Sequence, residues 1–436
     1  MEKNNLEKLD LTLYHEELSN GLNVYIVPKD NVNGIYATFT TKFGSVNQEF
    51  VPISEKKMVK VPLGVAHFLE HKMFEQKDSK DPFTFYSERG CDSNANTSNY
   101  KTTYLFSGAN SFLENLDYLL DYVQSPYFTD SNVEKEKGII EQEIKMYDDD
   151  PYFKMYSSVL YNAFHIHPIR YPIGGTKEDI YKITKEDLYT CYNTFYNPSN
   201  MFLVITGNVD PEDAIALIKL NQEKKKFEKI KKIKVKEYDE PDTVFKEYDS
   251  TKMDIELPKI SVAYKFNFSK SKKNMALIKT VIANVLDLRL GTTSILHENL
   301  KRDGLITYGI DVSLVNTDKH ILAIITFETE EIDKVIKLIE DELRNLSITE
   351  EELKRRKKIA KSNSIYRSDN IYSINNKIVS NIMNYNSVIC DVYKMIDDVD
   401  MTLVNDVINK VKLDNKTVYV INKAWFINEI MINYMS

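Results

Sequence analysis

At 436 residues the chain exceeds one ordinary domain, and two or three domains are expected. A hydrophobic content of 42%, with 28 Tyr and 20 Phe, is enough for real cores and excludes a disordered chain. The net charge of -8 excludes the broad basic face of a nucleic-acid binder.

The first residues, Met1 to Glu7, hold no apolar h-region, so no signal peptide is expected. No apolar run approaches the length of a membrane span, and no membrane partner is expected. The three cysteines, Cys91, Cys191 and Cys390, are odd in number and far apart. They form no disulfide framework, and a cytoplasmic location is the expectation.

Residues 12–43 read as strands. Leu22 to Pro28 follows the turn Ser19-Asn20-Gly21, and Ile35 to Thr40 alternates. Pro62 and Gly64 then mark the start of a helix holding His67-Phe68-Leu69-Glu70-His71. This is His-x-x-Glu-His, the reverse of the His-Glu-x-x-His zinc-peptidase motif. On a helix His67, Glu70 and His71 fall within an arc of about 100°. Two neutral imidazoles there can hold zinc, and the carboxylate beside them can reach a water at the ion. The remaining positions, Val65, Ala66, Phe68, Leu69, Met73 and Phe74, suit a buried helix.

A short helix is predicted from Asp81-Pro82 to Gly90. The stretch from Ser93 to Phe106 is polar and β-prone, with Tyr100, Thr102, Tyr104 and Phe106 in alternation. It reads as a strand, either with one ordinary solvated face or at a sheet edge able to pair with an extended peptide.

Helices are predicted over 111–124 and 130–147. On the second, Glu136, Ile140, Glu143 and Tyr147 share a face at i, i+4, i+7 and i+11, and Glu141 lies elsewhere. If this helix crosses the motif helix, Glu143 is a natural third ligand with Glu136 nearby, because two histidines alone rarely hold zinc. The rival ligands are His165 and His167, at i, i+2 before Pro168, in what reads as the exit of a helix.

A helix at 184–196, a strand at 200–207 and a helix from Asp210-Pro211 follow. A lysine-rich segment, Lys224 to Lys236, then runs into Glu240-Pro241 and reads as a linker. In the second half a strand at 258–267 leads to helices at 273–289 and 292–302. Strands at 306–315 and 319–328 form a hairpin. Helices at 330–345, 350–384 and 399–411 precede a closing strand at 417–422.

The plan of the first half thus recurs. The expected fold class is α+β, with two similarly folded domains related by pseudo-twofold symmetry. Each is an antiparallel-rich mixed sheet packed with helices. The predicted boundaries are 1–222 for a zinc-binding domain, 223–250 for the linker and 251–436 for a second domain without a metal motif.

The chain resembles the family of pitrilysin, insulin-degrading enzyme and mitochondrial processing peptidase, the inverted-motif zinc peptidases. The resemblance runs through Asn20-Gly21-Leu22-Asn23-Val24-Tyr25, the His67 to His71 motif, Asn94-Ala95-Asn96-Thr97 and Glu136 to Glu143. It continues in Gly174-Gly175-Thr176 and in Tyr196-Asn197-Pro198-Ser199-Asn200-Met201. It is nearest to half-length bacterial members, whose chains pair as a clam-shell enclosing a chamber, and a dimeric clam-shell is therefore expected.

The resemblance implies one zinc ion held by His67, His71 and Glu143, with Glu70 as catalytic base and Glu136 behind the site. It also implies that Asn94, Ala95, Asn96 and Thr97 pair with substrate backbone. The family's second half carries an Arg, then a Tyr seven residues on, reaching the substrate carbonyl. Here Tyr308 is present but Lys301 occupies the Arg position, with Arg302 beside it. Lysine lacks the guanidinium fork. Either Lys301 or Arg302 serves, or the partner in a heterodimer supplies the Arg/Tyr pair.

The expected function is zinc-dependent endopeptidase, with a peptide substrate and either a homodimer or a heterodimer. The alternatives are a non-proteolytic scaffold or peptide-binding subunit, and a zinc hydrolase acting on other substrates.

Overall fold

The structure, a computed structural model, describes residues 1–424. The end of the predicted second domain, 425–436, lies outside the described residues. Two compact units emerge, both discontinuous in sequence.

The first unit comprises Met1–Met146, His167–Tyr238 and Glu351–Val399. Its sheet contains β1 (Glu2–Leu6), β2 (Leu11–Glu17), β3 (Asn23–Pro28) and β4 (Ile35–Thr41). A short hairpin of β5 (Glu49–Phe50) and β6 (Val59–Lys60) stands apart from it. The sheet is completed by β7 (Asp92–Thr97), β8 (Thr102–Gly108) and β9 (Met201–Gly207), in the order β1-β2-β3-β9-β4-β8-β7. Every residue of β4 and β9 is buried, as expected of central strands covered on both faces.

The motif helix α1 (Val65–Lys72) and α3 (Phe112–Val123), α7 (Lys185–Phe195) and α8 (Pro211–Glu223) share one core with β3, β4 and β9. The short helices α2 (Pro82–Ser87) and α6 (Lys177–Ile180) lie between them in sequence. The long α4 (Asp130–Asp148) contributes Val133 and Ile140 to the same core.

Among the described residues the second unit comprises Tyr147–Ile166, Asp239–Glu350 and 400–424. Its helices are α5 (Pro151–Ala163), α9 (Met275–Leu290), α10 (Ile295–Arg302) and α11 (Ile332–Arg344). Its sheet has the order β10 (Tyr248–Met253), β14 (Lys416–Lys423), β11 (Lys259–Asn267), β13 (His320–Glu328), β12 (Asp311–Asn316). Both main sheets are antiparallel except for one parallel pair, β3 with β9 in the first and β10 with β14 in the second. The α+β reading, with a mixed antiparallel-rich sheet in each half, therefore holds. Among the described residues no helix is long and apolar enough to cross a membrane.

Several expectations change. The linear reading gives everything after residue 250 to the second domain, whereas α12 (Glu350–Ser368), α13 (Ile371–Tyr385) and α14 (Val392–Asp397) fall almost wholly in the first unit. Here α13 covers the opposite face of the first sheet through Ile374, Ile378, Val379 and Ile382. Its fully buried Asn375 donates 2.9 Å to the Val204 carbonyl and accepts 2.7 Å from the Thr38 hydroxyl. An apolar helical stripe declares that it is covered but not by which sheet.

The helix predicted over 350–384 breaks at Asn370, which caps α13 by accepting from the Ser373 amide. Of the later helices, only α15 (Met401–Ile408) returns to the second unit. The single strand predicted at 93–106 is a hairpin, because Thr97-Ser98-Asn99 supplies turn chemistry and Ser98 bonds back to Lys101. The strand predicted from 306 starts at Asp311, after a loop containing Gly304 and Gly309.

Replacing Asn375 by Ala leaves the Thr38 hydroxyl and the Val204 carbonyl short of a partner in the core. The expected cost is about 1–3 kcal/mol, read as a lowered melting temperature with faster amide exchange in β4 and β9. An unchanged melt and exchange pattern contradicts this assignment of α13.

Candidate metal centre

The motif helix begins where the backbone must turn sharply. Gly64 caps α1 with φ of +80°, in the left-handed region, without a side-chain hydrogen bond. Gly175 has φ of +76°, and the two backbones touch. A Cβ on Gly64 would lie 2.3 Å from the Gly174 carbonyl oxygen, and one on Gly175 would lie 2.8 Å from that of Leu63. This contact seats the first turn of α1. The hydrophobic residues Val65, Ala66, Phe68 and Leu69 then bury the helix, while His67 and His71 stay half-buried.

Glu143 reaches both histidines from α4. Its carboxylate oxygens lie 3.7 Å from His67 Nε2 and 3.5 Å from His71 Nε2. The three ligand atoms fall within 4.8 Å of one another, the only such group of three His, Cys, Asp or Glu residues among the described residues. Tetrahedral zinc with bonds of about 2.0–2.2 Å spaces its ligand atoms by about 3.4 Å, so the donor set fits zinc in kind and spacing. His67 Nδ1 is buried and makes no hydrogen bond.

Burial favours this use of His67. Burial, with the neighbouring His71, pushes the His67 pKa down to about 4, so its imidazole is neutral and available as a ligand near neutral pH. Burial also opposes charge on His71, but the hydrogen bond to Glu136 and three nearby carboxylates outweigh it and raise its pKa. Glu136 Oε1 lies 3.0 Å from His71 Nδ1, orienting the ring from behind. Burial would raise the Glu136 carboxyl, yet His71 and Lys72 outweigh it and hold it below the usual range.

Glu70 is held differently. Burial raises its pKa, and the Thr97 hydroxyl, donating over 2.5 Å, offsets part of that effect. Thr97 ends β7, which among the described residues pairs only with β8 and so forms one edge of the sheet. Asn94 and Asn96 point outward and are exposed, while Ala95 and Thr97 turn inward. The sequence placed Thr97 on this strand, but its contact with Glu70 needs tertiary structure to be seen.

The other candidates lie elsewhere. The His165 amide donates 2.8 Å to Glu240, and its ring lies 3.3 Å from the Thr243 hydroxyl. His167 Nδ1 accepts from the Ile169 amide at 3.1 Å, capping a turn. Neither joins the metal group. Lys301 and Arg302 are exposed in the last turn of α10, and Arg302 pairs with Asp303 at 3.1 Å. Tyr308 follows in the second unit and is 65% exposed.

An inverted His-x-x-Glu-His helix on a mixed sheet, met by a glutamate from a second helix, places the chain in the class of inverted-motif metallopeptidase folds. Residues 60–177 match the family model described as insulinase, peptidase family M16, and residues 182–360 match the peptidase M16 inactive domain. The uncharacterized zinc protease YmfH of Bacillus subtilis (strain 168) is 46% identical over 313 residues, 70% of this chain and 72% of that one. The chain belongs to the insulinase family, peptidase family M16.

An uncharacterized zinc protease of Rickettsia felis is 31% identical over 211 residues, 46% of this chain and 47% of that one. The crystal structure of an M16-like peptidase from Alicyclobacillus acidocaldarius superposes with a TM-score of 0.90 at 30% identity, covering 96% of this chain and 100% of that one. Pitrilysin shares the fold at a TM-score of 0.72 and 16% identity, over 96% of this chain and 45% of its own. The relatives named as zinc proteases support zinc as the metal.

Glu143→Gln is expected to strip most of the zinc that survives dialysis, while His165→Ala and His167→Ala leave it unchanged. Metal analysis of the three purified variants checks this, and full zinc in the Glu143 variant removes that residue from the ligand set.

Proposed function

We propose that the chain is a zinc-dependent endopeptidase, cleaving peptides or short unfolded polypeptides in a chamber closed by a second subunit. The observation that carries this reading is Glu70. It is a buried carboxylate of raised pKa beside three convergent ligands, and it is held by the strand whose outer edge is free. A scaffold has no need of such a base.

His67, His71 and Glu143 would hold one zinc ion. When bound, zinc supplies Lewis acidity that makes water a nucleophile near neutral pH. Glu70 takes the proton of the attacking water and passes it to the leaving amine. Asn94, Ala95, Asn96 and Thr97 offer backbone groups to an extended peptide, as an added strand does. Glu136 keeps His71 oriented. Tyr308, with Lys301 or Arg302, steadies the substrate carbonyl, or a sister chain in a heterodimer brings its own Arg/Tyr pair. The free cysteines support a reducing cytoplasm as the setting.

A second reading, a non-proteolytic peptide-binding subunit, draws on Lys301 standing where the family pattern has Arg. Digestion of a mixed peptide pool by the purified chain separates the two. The expected result is cleavage that a zinc chelator stops and added zinc restores. Glu70→Gln is expected to keep its zinc and lose about 10²–10⁴-fold in turnover. Turnover retained in that variant removes the base role of Glu70. Zinc without cleavage by the wild-type chain points to a sister subunit, and no zinc restores the scaffold reading.

A further inference from the structure

Lys72, the residue after the second histidine, is 1% exposed. A fully buried lysine is rare unless its charge is paired. Its ammonium lies 3.4 Å from Glu136 Oε2 and bonds to Glu75 Oε2. Glu136 therefore uses both oxygens. Oε1 meets the ring of a proposed metal ligand, and Oε2 meets the ammonium. Glu75 is the exposed member of the group, its side chain 42% accessible.

Glu143 contacts both imidazoles, Glu136 contacts that of His71, and Glu70 stands on the same helix as the two histidines, between them. Counted as ionised the three carboxylates carry three negative charges. Lys72, shared between Glu136 and Glu75, offsets part of that charge and leaves a surplus for a divalent cation to neutralise. A charge on the far oxygen of Glu136 also draws electron density away from the oxygen facing His71, and so weakens that ring as a donor.

We propose that Lys72 is a positioning and charge-matching residue. Through Glu136 it limits the affinity of the site for the divalent cation and leaves a bound ion more electrophilic. Lys72 touches neither substrate nor reacting atoms in this scheme. The inference rests on the zinc assignment above, but not on which substrate is cleaved or whether the chain acts alone.

The sign of the effect separates this role from a merely structural one. If Lys72 only braces the fold or holds Glu136 still, its loss loosens the site. If it matches charge, its loss tightens the site. The test is zinc affinity, measured by competition with a chromophoric chelator on the full chain, with circular dichroism as the check of folding.

Lys72→Met removes charge and donor, and Lys72→Gln removes the charge while keeping a shorter N–H donor. Both are expected to bind zinc about tenfold more tightly, and Lys72→Arg is expected to stay within about twofold of wild type. Glu75→Gln alters an exposed group, so folding is not at stake. It leaves the Lys72 charge less neutralised, and an affinity about threefold weaker is expected, only while Lys72 is present. Unchanged or weaker binding in the folded Lys72→Met and Lys72→Gln variants overturns the proposal. So does an unchanged affinity in Glu75→Gln. A wild-type chain that binds no zinc overturns the metal reading together with this one. Zinc binding without peptide cleavage counts only against self-sufficient activity.

Discussion

The crossing of α1 and α4 is the constraint on which the candidate centre depends. Alone, α1 offers two imidazoles and a carboxylate within one arc, which is too few ligands for a structural or catalytic zinc site. The third comes from a helix more than sixty residues later, and the same helix supplies Glu136 two turns earlier. Both glutamates reach α1 because they share a face. One meets the Nε2 edge of the histidines and the other the Nδ1 edge of His71. A rotation of α4 by one residue, about 100°, would lose both contacts together. The apolar anchors Val133 and Ile140, set in the core on α4, fix that rotation.

Burial then decides which protonation states the crossing selects. The same loss of solvent that neutralises His67 raises the Glu70 carboxyl, so one physical cause prepares a ligand and a proton acceptor. His71 escapes this fate because carboxylates surround it. Without a cation the cluster would concentrate negative charge in a half-buried place, which is costly. A protonated His71, Lys72 and the divalent ion are the compensations within reach, and the first two are built into the chain.

Legibility in the sequence followed the range of the interactions. His67, Glu70 and His71 could be read together because helical geometry fixes their relation within four residues. Glu136 and Glu143 could be paired for the same reason, at seven. The strands β3, β4 and β9 were visible as apolar or alternating runs. What stayed hidden was long-range. Thr97 meets Glu70 across 27 positions, and Asn375 meets Thr38 across 337. Nothing in the pattern of α13 names the first sheet as its partner. The burial of Lys72 was equally hidden, since periodicity does not distinguish a buried lysine from a solvated one. The hairpin at 98–101 was a different failure: its turn residues were present, but the alternation of Tyr100 with Thr102 outweighed them. Tyr100 in fact sits exposed in the turn.

The strand β7 joins the two halves of the proposed chemistry. Its backbone forms an edge of the sheet, its outward residues Asn94 and Asn96 face solvent, and its inward residues meet the core and the base. Strand geometry makes this division automatic, since successive side chains take opposite faces. A peptide adding to that edge would bond to the backbone of the strand whose Thr97 side chain holds Glu70. Docking and base placement would then depend on one rigid element. The Thr97 hydroxyl is also tied within the sheet, 3.2 Å from that of Thr102, which in turn donates to the Phe43 carbonyl. The base is thus referenced to the sheet and the ligands to the helix crossing. The α1 packing against β7 and β8 is what keeps the two frames in register.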